Sequence, residues 1–226
     1  MSELLEETLG IHFHDPALLQ LALTHRSYIY ESHGEGQCSN ERLEFLGDSI
    51  LAFVSTDFLY RSFPDLSEGE LTDVRAFLVK TETLADFARE IQLNKYLLMG
   101  KGEQSSGGGK RVLVSVFEAL LGAIYLDQGI MAVQAFLIHR LEPIAHNIVM
   151  KRLFKDNKSL FQELAQAHAG ITPYYRLVSQ EGPSHNREFT VEVMLGEEVA
   201  GKGHGRNKQT AEQEAAHAAL MSRGWI

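Results

Sequence analysis

The hydrophobic pattern of the chain changes character near residue 150, and that change divides the fold. Up to that point apolar residues fall in long helix-compatible segments with few breakers: Pro16–Leu23, Leu43–Tyr60, Leu71–Glu90, Val112–Leu126 and Met131–Met150. Stretches rich in turn-forming residues, Ser32–Ser39, Phe63–Gly69 and Gly100–Lys110, separate them. After the charged stretch Lys151–Lys158 the period becomes two. Phe189, Val191, Val193 and Leu195 alternate with Thr190, Glu192 and Met194, between turn signals at Gly182-Pro183 and Gly196. Tyr174–Ser179 and Val199–His204 read as two further strands. Ser159–His168, with Asp156 as its N-cap, and the alanine-rich Ala211–Met221 read as helices, the first ended by Gly170 and Pro173. The expectation is a mainly α domain over 1–150 and a small α+β domain over 155–226, in the order α-β-β-β-α.

Charge follows the same division. Residues 1–150 carry 11 Lys+Arg against 21 Asp+Glu, and residues 151–226 carry 10 against 9. The net charge of −9 argues against a generic polyanion binder, yet almost all of it lies in the first part. Anionic ligands would meet the second part more comfortably, and clustered carboxylates in the first could hold metal ions. No apolar run approaches the roughly 18 residues of a membrane span. The start, MSELLEETLG, lacks the basic-then-apolar order of a secretory signal. Cys38 is the only cysteine, which excludes an intrachain disulfide. These features lead to the expectation of no membrane association and a reducing, cytoplasmic location.

The sharpest local feature is Asn40-Glu41-Arg42-Leu43-Glu44-Phe45-Leu46-Gly47-Asp48. Glu41, Glu44 and Asp48 are spaced i, i+3 and i+7, so a helix places them on one face. A solvated acidic face is the plain reading. Few basic residues lie one turn away to pair with the stripe, and a second segment offers another acid. In VLVSVFEALLGAIYL (112–126), Glu118 is the only charged residue. A lone carboxylate among Phe117, Ala119, Leu120 and Leu121 is costly to bury unpaired. It is either neutral, paired with an arginine, or bound to a metal. Beside the Glu44 and Asp48 face, metal binding leads, and carboxylate oxygens suit Mg²⁺.

NERLEFLGD resembles the signature of the bacterial ribonuclease III family, and further stretches follow the same order. Leu23-Thr24-His25-Arg26-Ser27 precedes the signature. Glu68-Gly69-Glu70-Leu71 through Arg75-Ala76, and then the run from Glu118 to Asp127, follow it. The second module resembles the family's double-stranded-RNA-binding domain, so the likeness covers nearly the whole chain. The resemblance implies that Glu44, Asp48 and Glu118 are Mg²⁺ ligands, with Mn²⁺ as a substitute. Glu41 and Glu68 match two further family acids near the scissile strand. The implied reaction is hydrolysis of phosphodiesters in duplex RNA to 5′-phosphate and 3′-hydroxyl ends, for processing ribosomal and other structured RNA. The family works as a homodimer. The apolar set Leu43, Phe45 and Leu46 could serve that contact or the core.

Two positions depart from the family pattern. Ser115 stands where most members carry an aspartate ligand, three residues before Glu118. Its hydroxyl, or a water in the gap, would replace a charged group and weaken the metal site. An active enzyme needing more metal is the favoured reading, because the other acids are in place. A site altered to trap a complex, or a duplex-RNA-binding protein with impaired cleavage, are the alternatives. In the second module the resemblance assigns Gln162 and Glu163 to one minor groove. It assigns the Gly182-Pro183-Ser184-His185 turn to a second, with His185 as the contact, and Arg206, Asn207 and Lys208 to phosphates between. The family's usual second lysine is Gln209 here. Tyr174, Tyr175 and Phe189 read as strand or core residues, and His12, His14, His25 and Cys38 make no zinc pattern.

Overall fold

A computed structural model describes residues 2–32, 38–102, 109–152, 154–183 and 187–226. The chain forms two compact units, Met1–Lys151 and Arg152–Ile226. Among the described residues the first is helical: α1 (Ser2–Leu9), α2 (Pro16–Ala22), α3 (Arg26–Ser32), α4 (Glu41–Ser62), α5 (Glu68–Leu78), α6 (Thr81–Glu90), a 3₁₀ turn at Leu93–Lys95, α7 (Lys110–Gln128) and α8 (Ile130–Met150). The second is α9 (Asn157–Ala169), three strands β1 (Tyr174–Glu181), β2 (Glu188–Leu195) and β3 (Glu198–Gly205), and α10 (Lys208–Ser222). No described helix is long and apolar enough to cross a membrane.

The apolar composition of α7 makes it the centre of the first unit. Leu113, Val116, Phe117, Ala119, Leu120, Leu121, Ala123 and Ile124 are all buried, so the helix is enclosed on most of its circumference. It packs on α2, α4, α6 and α8. Its crossing with α4 is exceptionally close. A Cβ on Gly47 would lie 1.7 Å from the Glu118 carbonyl oxygen, and one on Gly122 would lie 2.4 Å from that of Leu43. The two backbones therefore meet directly, through positions where only hydrogen fits.

One expectation is corrected. Leu71–Glu90 is two helices, not one, divided at Val79 and Lys80, where Lys80 is extended (φ −65, ψ 156). No glycine or proline marks the break. The start of α5 is set instead by a capping box, in which Ser67 N–H donates to Glu70 Oε2 (3.0 Å) and Glu70 N–H donates to Ser67 Oγ (3.4 Å). Helices α1 and α3 and the 3₁₀ turn were not anticipated. All are three to eight residues long and lack an extended periodic pattern.

In the second unit the three strands form an antiparallel meander in the order β1-β2-β3. Asp156 caps α9 by accepting from Ser159 N–H (3.0 Å), and Gly170 closes it in the left-handed conformation (φ 67). Val191, Val193 and Leu195 point into the core as their alternation requires. Met194 is buried as well, because a bulge at Val193/Met194 breaks the alternation. Strand β3 presents Gly201, Gly203 and Gly205 to α10, where added Cβ atoms would fall 2.2–2.6 Å from backbone atoms of Ala211, Ala215 and Ala219. Alternate glycines on the strand thus face alanines every fourth residue on the helix.

Gly47→Ala should destabilise the chain by about 1–3 kcal/mol or more, since rigid backbone must move to admit the methyl. Gly69→Ala, in the first turn of α5 with no atom within 4 Å of its added Cβ, should be neutral or stabilise by about 0.5 kcal/mol. Thermal denaturation of the two variants beside the parent checks the contrast. Equal behaviour would mean that the crossing is slack.

Candidate functional site

The α4–α7 crossing carries the acids singled out from the sequence. Glu44 and Asp48 flank Gly47 on α4, and Ser115 and Glu118 lie one turn apart on α7. The Ser115 hydroxyl donates to Glu44 Oε1 at 2.8 Å and so bridges the helices. Glu118 is half-buried next to the buried Phe117, Ala119 and Leu121. Burial first, then the charges of Asp48 and Glu44, push its carboxyl from an ordinary value near 4.5 up to about 7. None of the three acids makes an ion pair among the described residues. Carboxylates have been gathered across two helices with a serine, and among the described residues no basic side chain pairs with them.

That donor chemistry fits a hard divalent cation: oxygen ligands, excess negative charge, and partial exposure that leaves room for water. The side chains are not drawn into a closed cage. Among the described residues no three His, Cys, Asp or Glu groups converge tightly enough to hold a metal as they stand. Ser115 rather than a fourth acid occupies Glu44.

Glu41 and Glu68 stand differently. Glu41 is exposed at the first residue of α4. It accepts from Ser39 Oγ at 2.8 Å and lies 3.5 Å from Arg26 Nη1. Glu68 is exposed at the first residue of α5, on a cleft of about 420 Å³ shared with Thr56, Tyr60, Thr72 and Arg75. Among the described residues no contact joins it to Glu44, Asp48 or Glu118. The apolar set on α4 splits: Leu43 is core, whereas Phe45 is 79% exposed.

Two residues of the quoted motifs turn out to hold the frame. Asn40 is buried. Its backbone N–H donates to the Thr24 carbonyl (2.9 Å) and its Nδ2 to that of Ala22 (3.1 Å), tying the start of α4 to the end of α2. Asp127, at the end of α7, accepts from the backbone N–H groups of His14 and Asp15, both at 2.9 Å. Burial alone would raise its carboxyl. Those two bonds, the Gln128 amide and the charge of His14 outweigh it and hold the group below its usual range. Both partnerships span long stretches of chain, so no local pattern announced them. Two of the histidines serve locally, His12 with Glu6 (2.6 Å) and His25 with Ser27 (2.8 Å), whereas His14 meets the distant Asp127 (3.5 Å).

In the second unit, Gln162 and Glu163 are exposed on α9, along an open groove of about 670 Å³ with Ser159, Gln166 and Thr172. Asn207 caps α10, its Oδ1 accepting from Thr210 N–H at 2.8 Å. Arg206 and Lys208 are exposed at the same helix start, where the helix dipole also favours anions. His185 lies outside the described residues. Tyr174 is half exposed. Tyr175 is partly buried, which raises its hydroxyl, and it carries Lys158 Nζ 4.7 Å above its ring.

Residues 15–144 match the Ribonuclease-III-like family, and residues 157–222 match the double-stranded RNA binding motif. The Ribonuclease 3 of Pelotomaculum thermopropionicum is 46% identical over 220 residues, spanning 96% of this chain and 91% of that protein. That of Enterococcus faecalis is 42% identical over 226 residues, spanning 96% and 95%. The solved nuclease domain of ribonuclease III from Campylobacter jejuni is similar with a TM-score of 0.57 and 34% identity, over 62% of this chain and 96% of that one. The chain belongs to the ribonuclease III family of endoribonucleases, its helical nuclease domain followed by a double-stranded-RNA-binding domain.

Proposed function

We propose that the chain is a Mg²⁺-dependent endonuclease that cuts double-stranded RNA to leave 5′-phosphate and 3′-hydroxyl ends, and that it processes ribosomal and other structured RNA. The observation that carries this reading is Glu118, whose carboxyl is pushed to about 7 by burial, Asp48 and Glu44. Such crowding is relieved by a cation, not by a substrate phosphate alone. Glu44, Asp48 and Glu118 hold the metal, and Ser115 holds Glu44. When bound, Mg²⁺ supplies charge neutralisation at the scissile phosphate and an activated water; Mn²⁺ can take its place. Glu118 must give up its proton to become a ligand. Ser115 fixes the rotamer of Glu44 through its hydrogen bond but adds no charge. Glu41 and Glu68 act on the RNA strand beside the metal.

The RNA-binding domain grips the duplex through Gln162 and Glu163, through His185, and through Arg206, Asn207 and Lys208 at the α10 start. Because Asn207 Oδ1 is committed to the cap, its contribution to RNA is through its amide nitrogen. The protein acts as a homodimer, so that two sites cut the two strands. An apolar groove lined by Leu46, Ile50, Phe53, Tyr125 and Leu126, beside the exposed Phe45, supports a self-association face on α4. The similar Campylobacter nuclease domain is described with a region involved in dimer formation.

Cleavage of a long labelled duplex should rise with Mg²⁺. Ser115→Asp should lower the half-maximal concentration by about tenfold, and Glu118→Ala should abolish cutting while leaving duplex binding intact. Binding without cleavage at every Mg²⁺ concentration, with cutting restored by Ser115→Asp, would instead make this chain a duplex-RNA binder on an enzyme's frame.

The raised Glu118 carboxyl also sets a pH dependence. The folded chain keeps this proton up to about pH 7, whereas the unfolded chain loses it near 4.5. Its effect on stability is therefore nil below that lower value, unfavourable as pH rises between the two, and fully developed above pH 7. In chelator, Glu118→Gln should melt with the parent near pH 4.5 and several degrees above it at pH 8. Added Mg²⁺ should stabilise the parent at pH 8 and not the variant. A variant no more stable than the parent at pH 8 would show that the carboxyl is not crowded.

A further inference from the structure

The segment leading into α9 carries two cations for which the reading above has no use. Arg152 and Lys155 hold the two oxygens of one carboxylate: Arg152 Nη1 lies 3.3 Å from Glu163 Oε1, and Lys155 Nζ donates to Oε2. Glu163 stands beside Gln162 on the exposed side of α9. A bare carboxylate is a poor group to bring against RNA. Its oxygens are good acceptors for a ribose 2′-hydroxyl, but its charge repels the phosphates on either side of the groove. Here the charge is answered before the RNA arrives.

The two cations are not equivalent. The Lys155 side chain is only 11% exposed, with its ammonium 5.7 Å from the centre of the Phe154 ring. It is held inward and cancels Glu163. The Arg152 side chain is 51% exposed and meets Glu163 through one nitrogen. A guanidinium has five N–H donors, so Glu163 uses a small part of what Arg152 offers. Lys155 and Glu163 together are neutral, and Arg152 adds one positive charge beside the groove formed by Ser159, Gln162 and Gln166. Asp156, next to Lys155, is turned to capping and accepts from Ser159 N–H (3.0 Å), Ser159 Oγ (2.8 Å) and Gln213 Nε2 (2.7 Å). The backbone points the same way. Arg152 adopts φ 49, a left-handed conformation that glycine takes freely and arginine does not. The strained backbone carries a side chain engaged with Glu163.

We propose that Arg152 and Lys155 belong to the duplex-RNA contact surface. Lys155 is the counter-ion that lets Glu163 accept a 2′-hydroxyl, and Arg152 contacts a phosphate flanking that hydroxyl. This rests on the reading that Gln162 and Glu163 face a minor groove, and the test separates the two.

The full chain is titrated with a labelled RNA duplex in chelator over a series of KCl concentrations. Arg152→Gly should weaken binding about five- to tenfold near 0.1 M salt and flatten the salt dependence by about one phosphate contact. Its melting temperature should hold or rise, because glycine suits the left-handed backbone. Lys155→Gln should weaken binding by a similar factor in the parent, but less than about twofold in a Glu163→Gln background, where no charge is left to cancel. Lys155→Arg should bind like the parent. If Gln162→Ala weakens binding while Arg152→Gly and Lys155→Gln leave affinity and salt slope unchanged, the proposal falls and the α9 reading stands. If Gln162→Ala also has no effect, the α9 reading falls and takes the proposal with it. An equal loss from Lys155→Gln in both backgrounds, or a loss in Lys155→Arg, would assign Lys155 to packing and overturn its role as counter-ion.

Discussion

The contact of α4 with α7 at Gly47 and Gly122 is the constraint on which the catalytic unit depends. Only backbone lies between the two helix axes at this point, so residues one turn away on α4 and one to two turns away on α7 are brought within reach of each other. Ser115 meets Glu44 for that reason, and Glu118 feels both Glu44 and Asp48. Burying most of the surface of α7 supplies the force that closes the crossing. The same closeness makes the site costly. Acids that would spread out on separate, looser helices are held near one another, and with burial their charges raise the Glu118 carboxyl to about 7.

The second unit uses the same device with different chemistry. Gly201, Gly203 and Gly205 leave β3 flat, and Ala211, Ala215 and Ala219 let α10 lie directly on it. The core there is thin: Leu160, Phe161, Val191, Val193, Leu195 and Leu220 carry most of its apolar bulk. A close fit makes up for small volume. It also fixes the direction of α10, so that Asn207, Arg206 and Lys208 are presented together at its first turn.

Much of this was legible in the residues, and what was not has physical reasons. The two-module division follows from the change of period near residue 150, because helices and strands repeat differently. Glu118 was legible because a single charge in an apolar helix must be explained. Asp156 was legible because a cap acts on its own helix. Gly47 and Gly122 were quoted only as letters of a motif. Glycine serves turns, caps and close approaches alike, and only the partner helix tells which. Asn40 and Asp127 bond to backbone far along the chain, so no local spacing reveals them. The break at Lys80 carries no glycine or proline, and buried Met194 follows from a bulge that alternation alone cannot register. Ser115 stands out in the sequence as a departure from the family pattern, but its partner Glu44 emerges only once α4 and α7 are packed.

The distribution of ion pairs explains how a chain of net charge −9 can still approach a polyanion. In the RNA-binding unit four of the nine acids are ion-paired among the described residues: Glu163 with Arg152 and Lys155, Glu192 with Arg176, Glu198 with Arg223, and Glu212 with Lys158. Arg206 and Lys208 make no ion pair among the described residues, and they sit at a helix N-terminus whose dipole adds to their field. The α10 start is therefore locally positive, although the unit as a whole is almost neutral. In the nuclease unit the opposite holds. Glu44, Asp48 and Glu118 make no ion pair among the described residues, so negative charge is concentrated at the α4–α7 crossing, a field that disfavours phosphate and favours cations.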